Sequence, residues 1–325
     1  LDNNSEEGWS LWIVEKDGSL RRLIDDLAPP TYLPDFDIAP DHRRILYAYH
    51  DDIWLYDAVS GEKRNVTATP ERSERLPRWW SNTSDSFLCG SNSRALEGQA
   101  LGFLTRVELS GAYEVLDDRG YLSAPAAPAP DGQTVVYNWF NQTGEVHPSI
   151  YQIGQGVQDF DLSVYGIDWI ERVGEASWSQ DGKRLTWTLA GKRNGLWQVA
   201  EILLDLDAKT NQIVHHYRPV PIDALFPAPQ WMLDNKSIIF YDFASDPGMH
   251  GLWIADLEEG KTEPLSHQLV NHTLTKEPIV SADGRWVIGV TPDKSAVGFV
   301  DIGTGITHLW PVQNQVSAVG WLSLP

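Results

Sequence analysis

Histidine, aspartate and tryptophan are the residues of this chain with chemistry to offer, and their spacing sorts them. His50, His147 and His250 fall in or beside segments that join one apolar strand to the next. His216, His267 and His272 fall in longer connections, and His215 closes a strand. His42 sits in a short Asp turn and His308 on a polar strand. Imidazoles brought from separate segments to one end of a fold are the material of a metal centre or a general base. No pair has a recognised ligand spacing, and the plainer account is that long loops collect polar residues of every kind. Asp51-Asp52 could bind a cation or divide acid and base roles, but Asp25-Asp26 and Asp117-Asp118 are equally good pairs. Adjacent carboxylates in loops usually just face water.

Tryptophan divides in the same way. Trp12, Trp54 and Trp253 share one strand position, and Trp79 or Trp80, Trp178, Trp231 and Trp321 share another, as packing residues do. Trp139, Trp169, Trp197 and Trp310 stand outside that order, where an aromatic ring could stack on a sugar, clamp a peptide or lie half-buried under a loop. The candidate ligand-binding residues are therefore His50, Asp52, Arg94, Trp139, His147, Arg193, Trp197, Asp242, His250 and His272. No catalytic residue is assigned, no cofactor is expected and metal ligation stays open. Gly-x-Ser-x-Gly, Gly-x-Gly-x-x-Gly, phosphate-loop and His-Glu-x-x-His patterns are absent.

A repeated phrase positions these residues. An apolar strand (a) leads to a turn built on Asp: Ala39-Pro40-Asp41-His42, Ser84-Asp85, Ala129-Pro130-Asp131-Gly132, Gln180-Asp181-Gly182, Leu233-Asp234-Asn235 and Ala282-Asp283-Gly284. Strand b follows, as in Thr134 to Tyr137, and the Asp-Gly turns read as two-residue hairpins. Strand c, as in Ile53 to Asp57 or Leu252 to Asp256, ends in a small Gly-bearing turn, and a more polar edge strand d comes next. A phrase recurring every 40 to 50 residues is the signature of a propeller blade. The reading is all-β: a β-propeller of four-stranded antiparallel blades, seven favoured and six possible, with residues 1–325 as a single domain. The N-terminus supplies a c strand at Leu11 to Val14 and a d strand at Leu20 to Ile24, the C-terminus an a-like strand at Ala318 to Leu322. Pairing of the two ends would close the ring; residues 1–10 are expected to be a flexible segment.

The pattern from Ala176 to Leu185, with Trp178, Ser179, Asp181, Gly182 and Leu185, resembles the repeat of the TolB-like, WD-repeat-like propeller family. Similar repeats form the propellers of prolyl-oligopeptidase-type peptidases. The resemblance covers almost the whole chain and implies an architecture more than a function. TolB itself carries an added α/β domain and the peptidases a hydrolase domain, and neither is expected within residues 1–325.

Strand alternation puts the short a–b and c–d turns at one end of the ring and the b–c and d–a loops at the other. The long segments Ser91 to Ala100, Trp139 to Pro148, Ala190 to Leu196 and Asp242 to His250 are b–c loops. Asp25 to Pro34, Phe160 to Arg172 and His216 to Phe226 are d–a loops. Variable loops on a rigid scaffold are where binding concentrates.

Composition narrows the partners. Lys and Arg number 25 against 45 Asp and Glu, a net charge of −20, which argues against nucleic acid and anionic membranes. No apolar run is long enough to span a bilayer. The only cysteine, Cys89, lies in an apolar strand and reads as a buried thiol. Asn-x-Ser/Thr sequons, those at Asn3, Asn65, Asn82, Asn141 and Asn271 among them, permit glycosylation in a secretory setting. The sequence thus favours a non-catalytic, extracytoplasmic, monomeric binding propeller that holds a protein, a peptide or a small ligand such as a saccharide on its long-loop face. The alternative is a metal-assisted carbohydrate-active lyase or hydrolase using loop His and Asp residues. A third is the gating propeller of a peptidase.

Overall fold

The computed structural model describes residues 2–4, 8–14, 20–28, 35–80, 85–93, 102–141, 143–217, 228–242, 251–269, 278–281, 283–291, 293, 295–312 and 315–316. Six sheets form from consecutive strands. Blade 1 holds β4 (Phe36–Ile38), β5 (Arg44–Tyr49), β6 (Asp52–Asp57) and β7 (Lys63–Asn65). Blade 2 holds β8 (Arg72–Trp79), β9 (Ser86–Ser93), β10 (Phe103–Glu108) and β11 (Tyr113–Asp117). In blade 3 the first strand is split into β12 (Tyr121–Leu122) and β13 (Ala127–Pro128), both paired with β14 (Thr134–Phe140) and followed by β15 (Val146–Gln152) and β16 (Gly156–Asp159). Blade 4 holds β17 (Ile170–Trp178), β18 (Arg184–Arg193), β19 (Leu196–Asp205) and β20 (Thr210–Tyr217). Blade 5 holds β21 (Gln230–Trp231), β22 (Ser237–Asp242), β23 (Gly251–Asp256) and β24 (Lys261–Ser266). Blade 6 holds β25 (Ile279–Val280), β26 (Trp286–Val290), β27 (Ala296–Asp301) and β28 (Thr307–Pro311).

The seventh sheet joins the ends of the chain in the order β29 (Gln315–Val316), β1 (Asp2–Asn4), β2 (Gly8–Val14) and β3 (Leu20–Ala28). The c and d strands are those read from the sequence. The N-terminus also supplies strand b, through the polar Asp2-Asn3-Asn4 that pairs with Gln315 and Val316. The segment Ala318 to Leu322 lies outside the described residues.

The a strands of neighbouring blades touch in turn, β4 with β8, β8 with β13, β13 with β17 and β17 with β21, which sets them at the axis. Apolar side chains fill the spaces between blades. Leu46, Ile53 and Val66 of blade 1 pack with Trp79 and Phe87 of blade 2, and Trp80 and Leu88 pack with Leu122 and Tyr137 of blade 3. Leu11 and Ile24 meet Phe36 and Ile45 across the seam with blade 1. Because b strands are covered on both faces, they read as near-continuous apolar runs. Cys89 is buried in one such run.

The Asp turns are four-residue loops, in place of the two-residue hairpins expected. Ala129 N–H bonds the Thr134 carbonyl and Gly132 N–H the Ala129 carbonyl. The Asp131 carboxylate accepts from the Gln133 and Thr134 amides at 2.8 and 2.9 Å. Asp41, Asp234 and Asp283 likewise hold amides two or three residues on. The residue after each Asp adopts positive φ: Gly132, Gly182 and Gly284, but also Asn235 and His42. His42 is thus the αL residue of a turn, a conformation that costs a side chain roughly 1 kcal/mol.

Trp side chains latch the blades together near these turns. Trp178 Nε1 donates to the Ala127 carbonyl of blade 3 at 2.9 Å, and Trp231 Nε1 to the Ser177 carbonyl of blade 4 at 3.1 Å. Arg44 and Arg184, each opening a b strand, stack over Trp79 and Trp231 of the next blade.

Candidate functional site

At the opposite end of the ring the polar side chains of the described residues gather at three blade interfaces. Strand alternation brings them there: d strands finish, a strands begin and b–c connections cross at that end.

The first group lies between blades 2 and 3. Arg119, in the short connection after β11, bonds the buried Asp117 carboxylate through Nε at 3.0 Å, and Asp159 at 2.8 Å. A further N–H reaches Ser149 Oγ at 3.0 Å. Tyr137 donates its hydroxyl to Asp117 at 2.5 Å. Burial and that carboxylate push the phenol well above its usual range, so it stays a donor. Trp139 and His147 are directly opposed across the β14–β15 ladder, and their rings stack at 4.4 Å. Trp139 Nε1 donates to Ser149 Oγ at 3.0 Å, and the Arg119 guanidinium lies 5.0 Å from the indole centroid. At the hairpin tip the Asn141 side chain bonds Glu145, Thr143 and, at 3.4 Å, His147 Nε2. The outcome is a half-buried cationic and aromatic platform fixed by carboxylates beneath it.

The second group lies between blades 1 and 2. Asp51 and His50 form the two-residue turn between β5 and β6, both at positive φ. His50 packs its ring against Tyr49 at 4.2 Å. Asp51 accepts from Ser73 at 2.8 Å and pairs with Arg75 at 3.1 Å. Asp52 holds the connection to blade 2 by accepting from the Asn65 and Thr67 side chains and the Thr69 amide. Glu74 is fully buried and accepts from Thr69 at 2.8 Å and Ser91 at 3.4 Å. Burial, with Asp52 nearby, pushes its carboxyl up to about 7.

The third group lies between blades 4 and 5. Thr188, Glu201 and His215 are opposed across β18, β19 and β20, so they share one face, and Tyr217 follows two residues on. Thr188 donates to Glu201 at 2.7 Å, and burial pushes this enclosed acid up to about 8. His215 Nε2 meets Asp242 of blade 5 at 2.7 Å. Its ring packs among Tyr217, Phe240 and Trp253.

Of the candidates from the sequence, Trp139 and His147 come together. Asp52 and Asp242 are bound into the scaffold. Trp197 is half-buried and packs against the core between blades 4 and 5. Arg193 ends β18 opposite Leu196; its side chain, and all of Arg94, His250 and His272, lie outside the described residues. His216, expected in a loop, pairs with Ala200 within β20. Two expected b–c loops are mostly strand: β14–β15 turns at 141–145, and β18–β19 runs on to a tight Asn194-Gly195 turn. Leu196 at that tip is 69% exposed. The expected d–a loop after Phe160 contains a 3-10 turn, Leu162–Tyr165, whose Leu162 and Tyr165 are buried. Arg119, Glu74 and Glu201 were missed, and Asp117 was weighed only as half of an adjacent pair with Asp118. Their signal was a charged residue inside or beside an apolar strand, visible at Ala200-Glu201-Ile202.

No family model and no curated protein sequence matches the chain. Solved structures do. TolB from Acinetobacter baumannii is 14% identical with a TM-score of 0.52, over 94% of this chain and 60% of its own. The chain thus spans less than two thirds of that TolB. An oligogalacturonate lyase in complex with manganese is 11% identical with a TM-score of 0.63, over 92% of this chain and 83% of its own. A nidogen/laminin complex gives 10% identity and a TM-score of 0.53, over 86% and 96%. At such identities the likeness is one of fold. The chain is a β-propeller whose fold is similar to that of TolB and of the other propellers named.

Proposed function

We propose that the chain is a non-catalytic binding propeller, working outside the cytoplasm, that holds a protein or peptide partner on its long-loop face. The observation that carries the reading is the pair of hairpins rising there. One presents the Trp139–His147 stack above Arg119; the other ends in the exposed Leu196 beside the exposed Lys192. Rigid aromatic and apolar anchors with a polar rim are what protein interfaces use. Behind them, Asp117 and Asp242 each bond a side chain of the adjacent blade, as a supporting layer would. A nidogen/laminin complex among the similar folds and the TolB-like architecture support a protein partner and an extracytoplasmic setting. The test is affinity capture with wild type and with a His147→Ala, Leu196→Asp variant, both verified as folded. Partners lost only from the variant support the reading, and identical partner sets sink it.

A second reading follows from the lyase in complex with manganese, whose TM-score is 0.63. Among the described residues no three His, Cys, Asp or Glu side chains converge as metal ligands. That reading therefore needs ligands from segments outside the described residues, such as those that carry His250 and His272. Metal analysis of untagged protein decides it: a stoichiometric transition metal lost on replacing those two histidines would favour the lyase class.

A further inference from the structure

Among the described residues each outer strand of the ring is laddered on one side only, and sheet edges are normally blunted by charge. β7 carries Lys63 and Arg64, β11 carries Glu114 and Asp117, β16 carries Asp159 and β24 carries Lys261 and Glu263. β20 has no Asp, Glu, Lys or Arg, but its apolar Ile213 and Val214 are half-buried. β28 has neither protection. Its sequence is Thr307-His308-Leu309-Trp310-Pro311, with Leu309 48% and Trp310 36% exposed, and Ile306 just before it 55% exposed. From Ile302 to Pro325 the sequence contains no Asp, Glu, Lys or Arg, in a chain of net charge −20.

The hydrogen-bond phase of β28 fixes what can add to it. Asp301 N–H bonds the Ile306 carbonyl at 3.0 Å, and Val312 N–H bonds the Ser295 carbonyl at 2.9 Å. With Phe299 opposite His308 and Val297 opposite Trp310, Ile306, His308, Trp310 and Val312 turn their backbones inward to β27. Thr307, Leu309 and Pro311 turn theirs outward. Proline has no N–H to leave unpaired.

We propose that β28 is the contact edge of a twofold-symmetric dimer, paired antiparallel with a second copy of itself about Leu309. That register lets Leu309 exchange two hydrogen bonds with its counterpart, while each Thr307 N–H meets the Pro311 carbonyl of the other copy. All outward donors are satisfied. His308 of each copy then lies opposite Trp310 of the other, and the Leu309 side chains meet on the opposite face. The contact is isologous and closes on itself, so it stops at two copies. Two bodies of net charge −20 repel over most approaches, and a stretch free of acids is where repulsion is least. The dimer replaces the monomer expected from the sequence, and does not depend on what the long-loop face binds.

Sedimentation velocity across a range of protein concentrations tests it. A reversible monomer–dimer equilibrium is expected, strengthened by added salt, which screens the net charge. Leu309→Lys sets two ammonium groups face to face at the axis and should weaken the dimer by about tenfold or more. Val115→Lys, on the exposed edge β11, should leave it unchanged. Because Leu309→Lys could also disturb blade 6, hydrogen exchange of the wild type is the second measurement. Amides of Thr307 and Leu309 should gain protection as concentration rises. A wild type that stays monomeric at every concentration overturns the proposal, as does a dimer that survives Leu309→Lys or leaves those two amides unprotected.

Discussion

His215 and Asp242 lie 2.7 Å apart across the seam between blades 4 and 5, and the Asp242 side chain is only 2% exposed. The carboxylate belongs to the end of a b strand and the imidazole to a d strand of the preceding blade. The pair therefore fixes the angle between two sheets at the end of the ring where their loops are long.

The two members of the pair should be energetically coupled. His215→Ala leaves Asp242 short of its cross-blade partner in a nearly dry site, with an expected loss of about 3 kcal/mol. The double variant with Asp242→Asn should lose less than the sum of the two single changes. Urea unfolding of the four proteins measures the coupling.

Glu201 and Glu74 give the protein a loss of stability on the alkaline side. Each carboxyl starts from an ordinary value of 4.5 and is raised in the fold, to about 8 and about 7 respectively. The sign follows from linkage: their contribution is complete below the unfolded value and disappears as pH rises through the folded one. Glu201→Gln keeps the shape without the charge. Thermal midpoints measured between about pH 5 and pH 9 should therefore fall less steeply for the variant, which becomes the more stable protein at the upper end.

The Trp latches near the Asp turns should be separable from core packing. Trp231→Phe keeps most of the buried ring but removes the 3.1 Å bond to Ser177 and much of the Arg184 stacking. A loss of about 1–2 kcal/mol in chemical denaturation is expected. An unchanged midpoint would mean the bond contributes nothing net.

Gly120 sets the position of the aromatic platform. A Cβ there would overlap the Trp139 ring and the Phe140 carbonyl. Gly120→Ala should displace Trp139 from His147, changing the indole emission and the His147 ring resonances while the far-ultraviolet spectrum stays that of the parent.

The blade phrase was legible because one local device recurs. Asp41, Asp131, Asp181, Asp234 and Asp283 each hold the amides that follow them, and that requirement is written in three or four consecutive residues. Strand β1 was not legible, since Asp2-Asn3-Asn4 is polar and only its pairing with residues at the other end of the chain makes it a strand. The hairpin extensions past Tyr137 and Ala190 were hidden for a related reason: at the rim a strand needs no apolar face. Within the candidate site, the opposition of Trp139 to His147 depends on register, and Arg119 reaches them only because blades 2 and 3 lie side by side. Asp242 looked like a free loop acid because its partner His215 belongs to another blade.

The junction of β1 with β29 has a kinetic meaning. Asp2 pairs with Val316 and Asn3 with Gln315, so the contact that shuts the circle joins residues separated by nearly the whole chain. Contacts of such sequence separation carry a large loop-closure entropy and form late in folding. This ladder is also short, so it is where the native circle should first come undone. Amides of Asp2 to Asn4 should exchange through partial opening long before those of the b strands, which await global unfolding.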